Sequence, residues 1–425
     1  MNQTPKRGTD AVLRPGVGEA RGRTALAMPV PPLEPLDSIL PSEPLLLMGA
    51  GPVPIPHAVA RANGVVINHL GATMEHVIRN LKEMARYAFQ TKSDKIMGVA
   101  GPASAAMEMA ITNLLWRGRR CLCLKTGTFS NRLGEMAAGV GAEVTFVEPE
   151  TGRPVTAEMV EKALARGRYD VVTIAQGETS CGVLNGDLPQ IAALTRSHGA
   201  LMVVDAVVTL STMPVEMDAW GLDAVVTGGQ KGLSSIPGVS LVAFSERAWD
   251  VILNRREPMP HWCLDAIRAQ RFWGDHQYHY TAPVPGILAL YEALRLVCEE
   301  GLTTRHERHR VSSQSLQAGL EAMGLSLFVL PAYRLNSVIA IRIPGDVSAP
   351  NVLSYMSRKF RVEISGAFGL DIVRIGQMGE QCRSHNLFKV LYATGMSFGH
   401  FGVKLDVSKG LAELERTLTR EHEFE

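Results

Sequence analysis

From about residue 45 the chain alternates two kinds of apolar pattern. Compact apolar runs at 95–100, 120–125, 143–147, 170–175, 201–205, 223–227 and 239–244 read as strands. Most are separated by segments with a helical repeat of apolar positions, such as 103–116, 132–138, 157–166 and 188–198. Parallel strands need helical crossovers, which cover both sheet faces. The rhythm therefore predicts an α/β fold with a mostly parallel seven-stranded sheet. The last two runs are joined only through 232–238, too short for a crossover, so one antiparallel strand is expected at that edge. After a long helix near 284–300 the pattern changes. Runs at 338–343, 362–364 and 373–375 alternate with helices in a smaller α+β unit. The expected parts are an arm over 1–42, a large domain over 43–300 and a small C-terminal domain over 301–425.

The arm is rich in Gly, Pro, Arg and Thr, without periodicity, and is expected to be disordered. It lacks the continuous apolar stretch of a signal peptide, and its acidic residues fit a transit peptide poorly, so a cytoplasmic location is expected. No apolar run approaches the roughly 20 residues of a membrane span. Forty-three basic residues against 42 acidic ones argue against a nucleic-acid binder. The six cysteines form no disulfide framework. Cys121 and Cys123 share one face of a strand with no second ligand pair, so core thiols, and no metal site, are expected.

The candidate chemistry sits at strand ends. Asp205 closes the run 201–205, and Lys231 follows the run 223–227 in Gly229-Gln230-Lys231-Gly232. An amine and a carboxylate so placed suit pyridoxal phosphate: the lysine would hold the aldehyde as a Schiff base, and the carboxylate would keep the pyridine nitrogen protonated. Ligands in parallel α/β sheets bind at the carboxyl ends of the strands. Gly177-Glu178-Thr179-Ser180 and Gly101-Pro102-Ala103-Ser104 also follow strands, so four loops are expected to converge on one edge.

With these motifs in this order, the chain resembles the class V aminotransferases of fold-type I, of the alanine–glyoxylate / serine–pyruvate type. Met48-Gly49-Ala50-Gly51-Pro52, Val204-Asp205-Ala206-Val207, Tyr278-His279-Tyr280-Thr281 and Arg374-Ile375-Gly376-Gln377 complete the set. The resemblance implies a ping-pong transaminase acting on small amino acids and 2-oxo acids. It implies that Lys231 binds the cofactor and moves the α-proton, and that Asp205 partners the pyridinium. Val207 would lie beneath the ring, and Thr179 would reach the cofactor's O3′ region. Ala103, Ser104 and Gln230 would hold the phosphate. Tyr278 and Thr281 would reach the phosphate of a neighbouring subunit, which implies a homodimer with shared sites. Arg374 would grip the substrate α-carboxylate.

Two positions depart from the family. The phosphate loop carries Pro102, which has no N–H, where relatives are rich in Gly and Ser. Phe129 stands where the family often stacks Trp or Tyr on the ring. The altered loop keeps open a pyridoxamine–pyruvate aminotransferase, whose substrate has no phosphate. A desulfurase-like reading would need Cys382 as a mobile nucleophile, and a non-catalytic one would keep Lys231 only by inheritance. His261, His276 and His279 match no metal spacing, so packing or interface roles are expected for them.

Overall fold

The computed structural model describes Met28 and residues 31–422, with side chains to 419. The rest of the arm expected to be disordered lies outside the described residues. The chain divides into two compact units, Met1–Pro44 and Leu45–Glu425. In the first, Leu36–Ile39 makes one helical turn with all four side chains exposed.

The second unit is built on a seven-stranded sheet. In chain order its strands are β1 (Ile96–Ala100), β2 (Arg120–Leu124), β3 (Glu143–Val147), β4 (Val171–Ala175), β5 (Leu201–Asp205), β6 (Ala224–Gly228) and β7 (Val239–Phe244). Their spatial order is β1-β7-β6-β5-β4-β2-β3. Strands β4, β5 and β6 are buried at every position, which is why they read as continuous apolar runs. Strand β3 lies at an edge, and Glu143, Thr145 and Phe146 are exposed there. The antiparallel member is β7, paired with β6 on one side and β1 on the other. The expectation of an antiparallel strand holds, but its place does not: β1 closes the sheet beyond it. The short link 232–238 fixes the direction of β7 and says nothing of what pairs with its free side.

This arrangement decides where the site lies. Because β7 runs against both neighbours, β1 is parallel to β6 and points the same way as β2, β4 and β5. Strand β3 is parallel to β2, so the carboxyl ends of six of the seven strands share one edge of the sheet. Two helices begin at that edge, α1 (Ala103–Leu114) and α2 (Thr128–Gly139).

A main hydrophobic cluster surrounds this sheet. A second forms around the antiparallel pair β8 (Val338–Arg342) and β9 (Ile372–Gly376) with the helices near them. Leu46–Leu47 pairs in parallel with Val362–Glu363, so Met48 is buried in the second cluster, although in sequence it stands before the first. Helices α3 (Val284–Glu300) and α4 (Leu302–Ala322) follow one another across Gly301. Arg305 of α4, buried and paired with Glu300, donates to the carbonyl of Gly232 at 2.7 Å. That bond ties α4 to the loop just past Lys231.

Candidate active site

A pocket opens at the shared strand edge. Ala103, Ser104, Phe129, Thr179, Asp205, Val207, Gln230 and Lys231, eight of the expected site residues, all line it. They come from the loops after β1, β2, β4, β5 and β6, so the topology brings together residues up to 128 positions apart, from Ala103 to Lys231.

Asp205 is the last residue of β5 and is buried. Its Oδ1 accepts the N–H of Val207 at 2.8 Å. Burial pushes its carboxyl up to about 7, an effect increased by Glu178 and opposed by the Val207 N–H and by Lys231. Lys231 shows the opposite perturbation. Burial, and then the charge of Arg374, pull its amine down to about 8. Its Nζ donates to the carbonyl of Ala50, in the opening loop. Gly51 is required there: it has φ +104°, and a Cβ would fall 2.6 Å from Lys231 Cδ. A buried acid and a buried amine, both shifted toward neutrality in one cleft, mark a functional site.

The opening loop is held by the C-terminal part of the chain. Gly376 N–H donates to the Met48 carbonyl at 2.7 Å, and Gln381 Nε2 donates to the Gly49 carbonyl at 2.8 Å. Ala50 N–H donates to Ser365 Oγ at 3.0 Å. In this way the loop over Lys231 and the strand bearing Arg374 form one scaffold.

Glu178 has a role that the sequence did not reveal. Its fully buried carboxylate accepts the N–H groups of Phe129 (3.2 Å) and Ser130 (2.9 Å) and the Ser130 hydroxyl (2.8 Å). An anion on unpaired first-turn N–H groups anchors the start of α2. That helix carries Phe129 and Arg132 into the pocket. The motif around Glu178 was visible, but a cap made across 48 residues has no local signature.

Arg374 does not line the pocket itself. It is buried behind it, with Nη1 donating to the Thr179 carbonyl at 2.7 Å and Nε to the Gly366 carbonyl at 2.8 Å, where Nη2 also donates. Three of its five N–H groups are thereby used, leaving one on each terminal nitrogen. Phe368 bridges the two regions, 5.5 Å from the guanidinium and 6.2 Å from the Phe129 ring.

Tyr278 and Thr281 stand apart. Both are exposed, and neither lines this pocket; Tyr278 packs edge-on against His69 instead. Cys382 is buried, its thiol raised to about 11 by burial, which is the opposite of a mobile nucleophile. Cys121 and Cys123 are fully buried in β2. Among the described residues there is no metal-binding group of three or more His, Cys, Asp or Glu, and no helix long and apolar enough to cross a membrane.

The pocket fits pyridoxal phosphate by its donor set. Asp205 offers a buried carboxylate to a protonated ring nitrogen, and Lys231 an amine near neutrality to an aldehyde. Val207 and Phe129 offer apolar surfaces to a flat ring. At the Ala103 end, Gln230 Oε1 is buried without a hydrogen-bond partner; in the first turn of α1 the Ala105 N–H donates to the Pro102 carbonyl at 2.8 Å, while those of Ala103 and Ser104 have no backbone acceptor.

Comparison with known proteins agrees with this chemistry. A family model described as Aminotransferase class-V matches residues 57–407. Alanine–glyoxylate aminotransferase of Oryctolagus cuniculus is 33% identical over 380 residues, covering 87% of this chain and 97% of that one. The structure of ureidoglycine–glyoxylate aminotransferase from Bacillus subtilis superposes with a TM-score of 0.85 at 30% identity, covering 89% of this chain and 99% of that one. Pyridoxamine–pyruvate aminotransferase from Mesorhizobium loti superposes with a TM-score of 0.85 at 25% identity, covering 89% and 98%.

Proposed function

The chain belongs to the class-V aminotransferases, enzymes of the transaminase type, and from that premise we propose that it moves an amino group from alanine or a similarly small L-amino acid to glyoxylate, with pyridoxal phosphate held on Lys231. The observation that carries the reading is the Asp205–Lys231 pair, opposite in charge and both perturbed by burial in one pocket.

When bound, pyridoxal phosphate supplies an aldehyde that bonds amines reversibly and a ring that withdraws electrons from the attached carbon. The protein's own residues do the rest. Lys231, with its amine lowered to about 8, has a substantial neutral fraction near physiological pH for covalent anchoring. Once displaced by the donor's amine, its Nζ takes the α-proton and returns it on the other side of the transfer. Asp205 keeps a proton at the ring nitrogen. Val207 and Phe129 would offer their apolar surfaces to the ring. Arg374 presents its two remaining N–H groups to the donor's α-carboxylate. Tyr278 and Thr281, exposed in one chain, complete the phosphate site of a second copy, making the working unit a homodimer.

Initial rates test this reading. With L-alanine and glyoxylate varied together, double-reciprocal plots should be parallel, and glycine and pyruvate should appear in equal amounts. Ethylamine, which lacks the carboxylate, should have a kcat/KM lower by about 100-fold or more, the loss of one charge-assisted bidentate contact. Intersecting lines would exclude the ping-pong scheme. Equal use of ethylamine would remove Arg374 from donor binding.

A further inference from the structure

We propose that Arg132, held by Ser104, is the cation that grips the cofactor's phosphate and makes up for the N–H that Pro102 removes from the phosphate loop. This rests on the reading of the pocket as a pyridoxal phosphate site and goes beyond it, because it assigns the phosphate a receptor outside the loop. Arg132 lines the pocket together with Ala103, Ser104 and Gln230. Its Nη1 donates to Ser104 Oγ at 2.9 Å, at the first turn of α1. Its guanidinium also lies 5.1 Å from the ring centroid of Phe129, three residues earlier on α2. Glu178 fixes the start of that helix, so the arginine is carried on a rigid element and not on a loop.

The charges around Arg132 call for an anion. Among the described residues Ser104 is its hydrogen-bond partner, and no carboxylate lies within ion-pair reach of it. The N-terminus of α1 adds the partial positive charge of its first-turn N–H groups. Gln230, 9% exposed, has its Oε1 buried without a partner in the same corner, and a half-turn of the amide presents NH2 there instead. A guanidinium, a helix N-terminus and an unpaired amide thus line one pocket; Asp205, the acid in the same pocket, is felt by Arg132 only through space and makes no ion pair with it. A phosphate dianion satisfies all three, and the arginine's planar fork suits its oxygens. In this chain a side chain on the next helix thus stands beside the proline-bearing loop, where it can add to the loop's backbone donors.

Dissociation constants of pyridoxal phosphate and of pyridoxal for the cofactor-free protein, read by quenching of tryptophan fluorescence, test the proposal. Wild type should prefer the phosphorylated form. Arg132→Met keeps an unbranched apolar side chain at this position but loses the charge. It should weaken pyridoxal phosphate by about 30-fold and pyridoxal by less than about 3-fold, on the scale of a hydrogen bond to a charged group. Arg132→Lys should fall between, and it carries the test if the methionine variant does not fold. Equal weakening of both ligands would make Arg132 a packing residue, and no weakening of either would leave it without a role at the phosphate; each overturns the proposal. A wild type that binds both vitamers equally overturns it too, while leaving the lysine anchor standing. A wild type that binds neither would instead sink the proposed function.

Discussion

Lys231→Ala is expected to lower the rate of alanine–glyoxylate transamination by roughly five orders of magnitude, the scale seen when one group serves as both covalent anchor and proton carrier. The fold should survive. In the cofactor-free chain the Lys231 amine has one hydrogen-bond partner, the Ala50 carbonyl, and burial already disfavours its charge, so its removal relieves desolvation. Circular dichroism and the melting temperature should therefore stay close to wild type. Arginine at 231 would restore charge without a titratable amine and should be equally inactive. A variant with unchanged melting and near-normal kcat would contradict the assignment of both roles to this residue.

The second large effect is expected at Asp205, and it has two opposite parts. Asp205→Asn keeps an oxygen for the Val207 N–H but cannot hold a proton-bearing ring nitrogen by charge. The expected loss in kcat is about 100- to 10,000-fold, comparable to removing a preorganised electrostatic partner. Stability should move the other way in the cofactor-free protein. Folding raises the carboxyl from its ordinary value to about 7, so the folded chain binds more protons than the unfolded chain between about pH 4 and 7. The cost of an ionised buried carboxylate is thus absent in acid and complete above pH 7. Asparagine should stabilise the cofactor-free protein at pH 8 by about 1–3 kcal/mol and have little effect at pH 4. Thermal melts at the two pH values check this. A variant destabilised at pH 8 would show Asp205 to be a structural residue.

The parts of the site legible in the sequence are those that strand ends announce. Asp205 ends one fully buried strand and Lys231 follows another, and the parallel alternation requires those strands to end on the same edge. Thr179, Val207, Gln230 and the 101–104 loop follow from that logic, with the family resemblance adding a role for each. Arg132 did not stand out, because one arginine on a surface-patterned helix looks like a solvated charge; only the cap by Glu178 and the approach of Ser104 turn it inward. Arg374 was named as a candidate, but its position outside the pocket lining and its use of the Thr179 and Gly366 carbonyls were not legible, since those contacts cross 195 and 8 residues. The position of β7 inside the sheet was also hidden. A short link tells a strand's direction, whereas its second partner, β1, lies some 140 residues earlier, as in the pair Val239 and Ala100.

The visible absorption of the purified protein, followed through addition of L-alanine and then glyoxylate, tests the central claim most directly. The account predicts a yellow protein that bleaches with alanine and regains its colour with glyoxylate, because both half-reactions run on the same lysine-anchored group. A protein that stays colourless with pyridoxal phosphate, or a yellow one that alanine leaves unchanged, would contradict it.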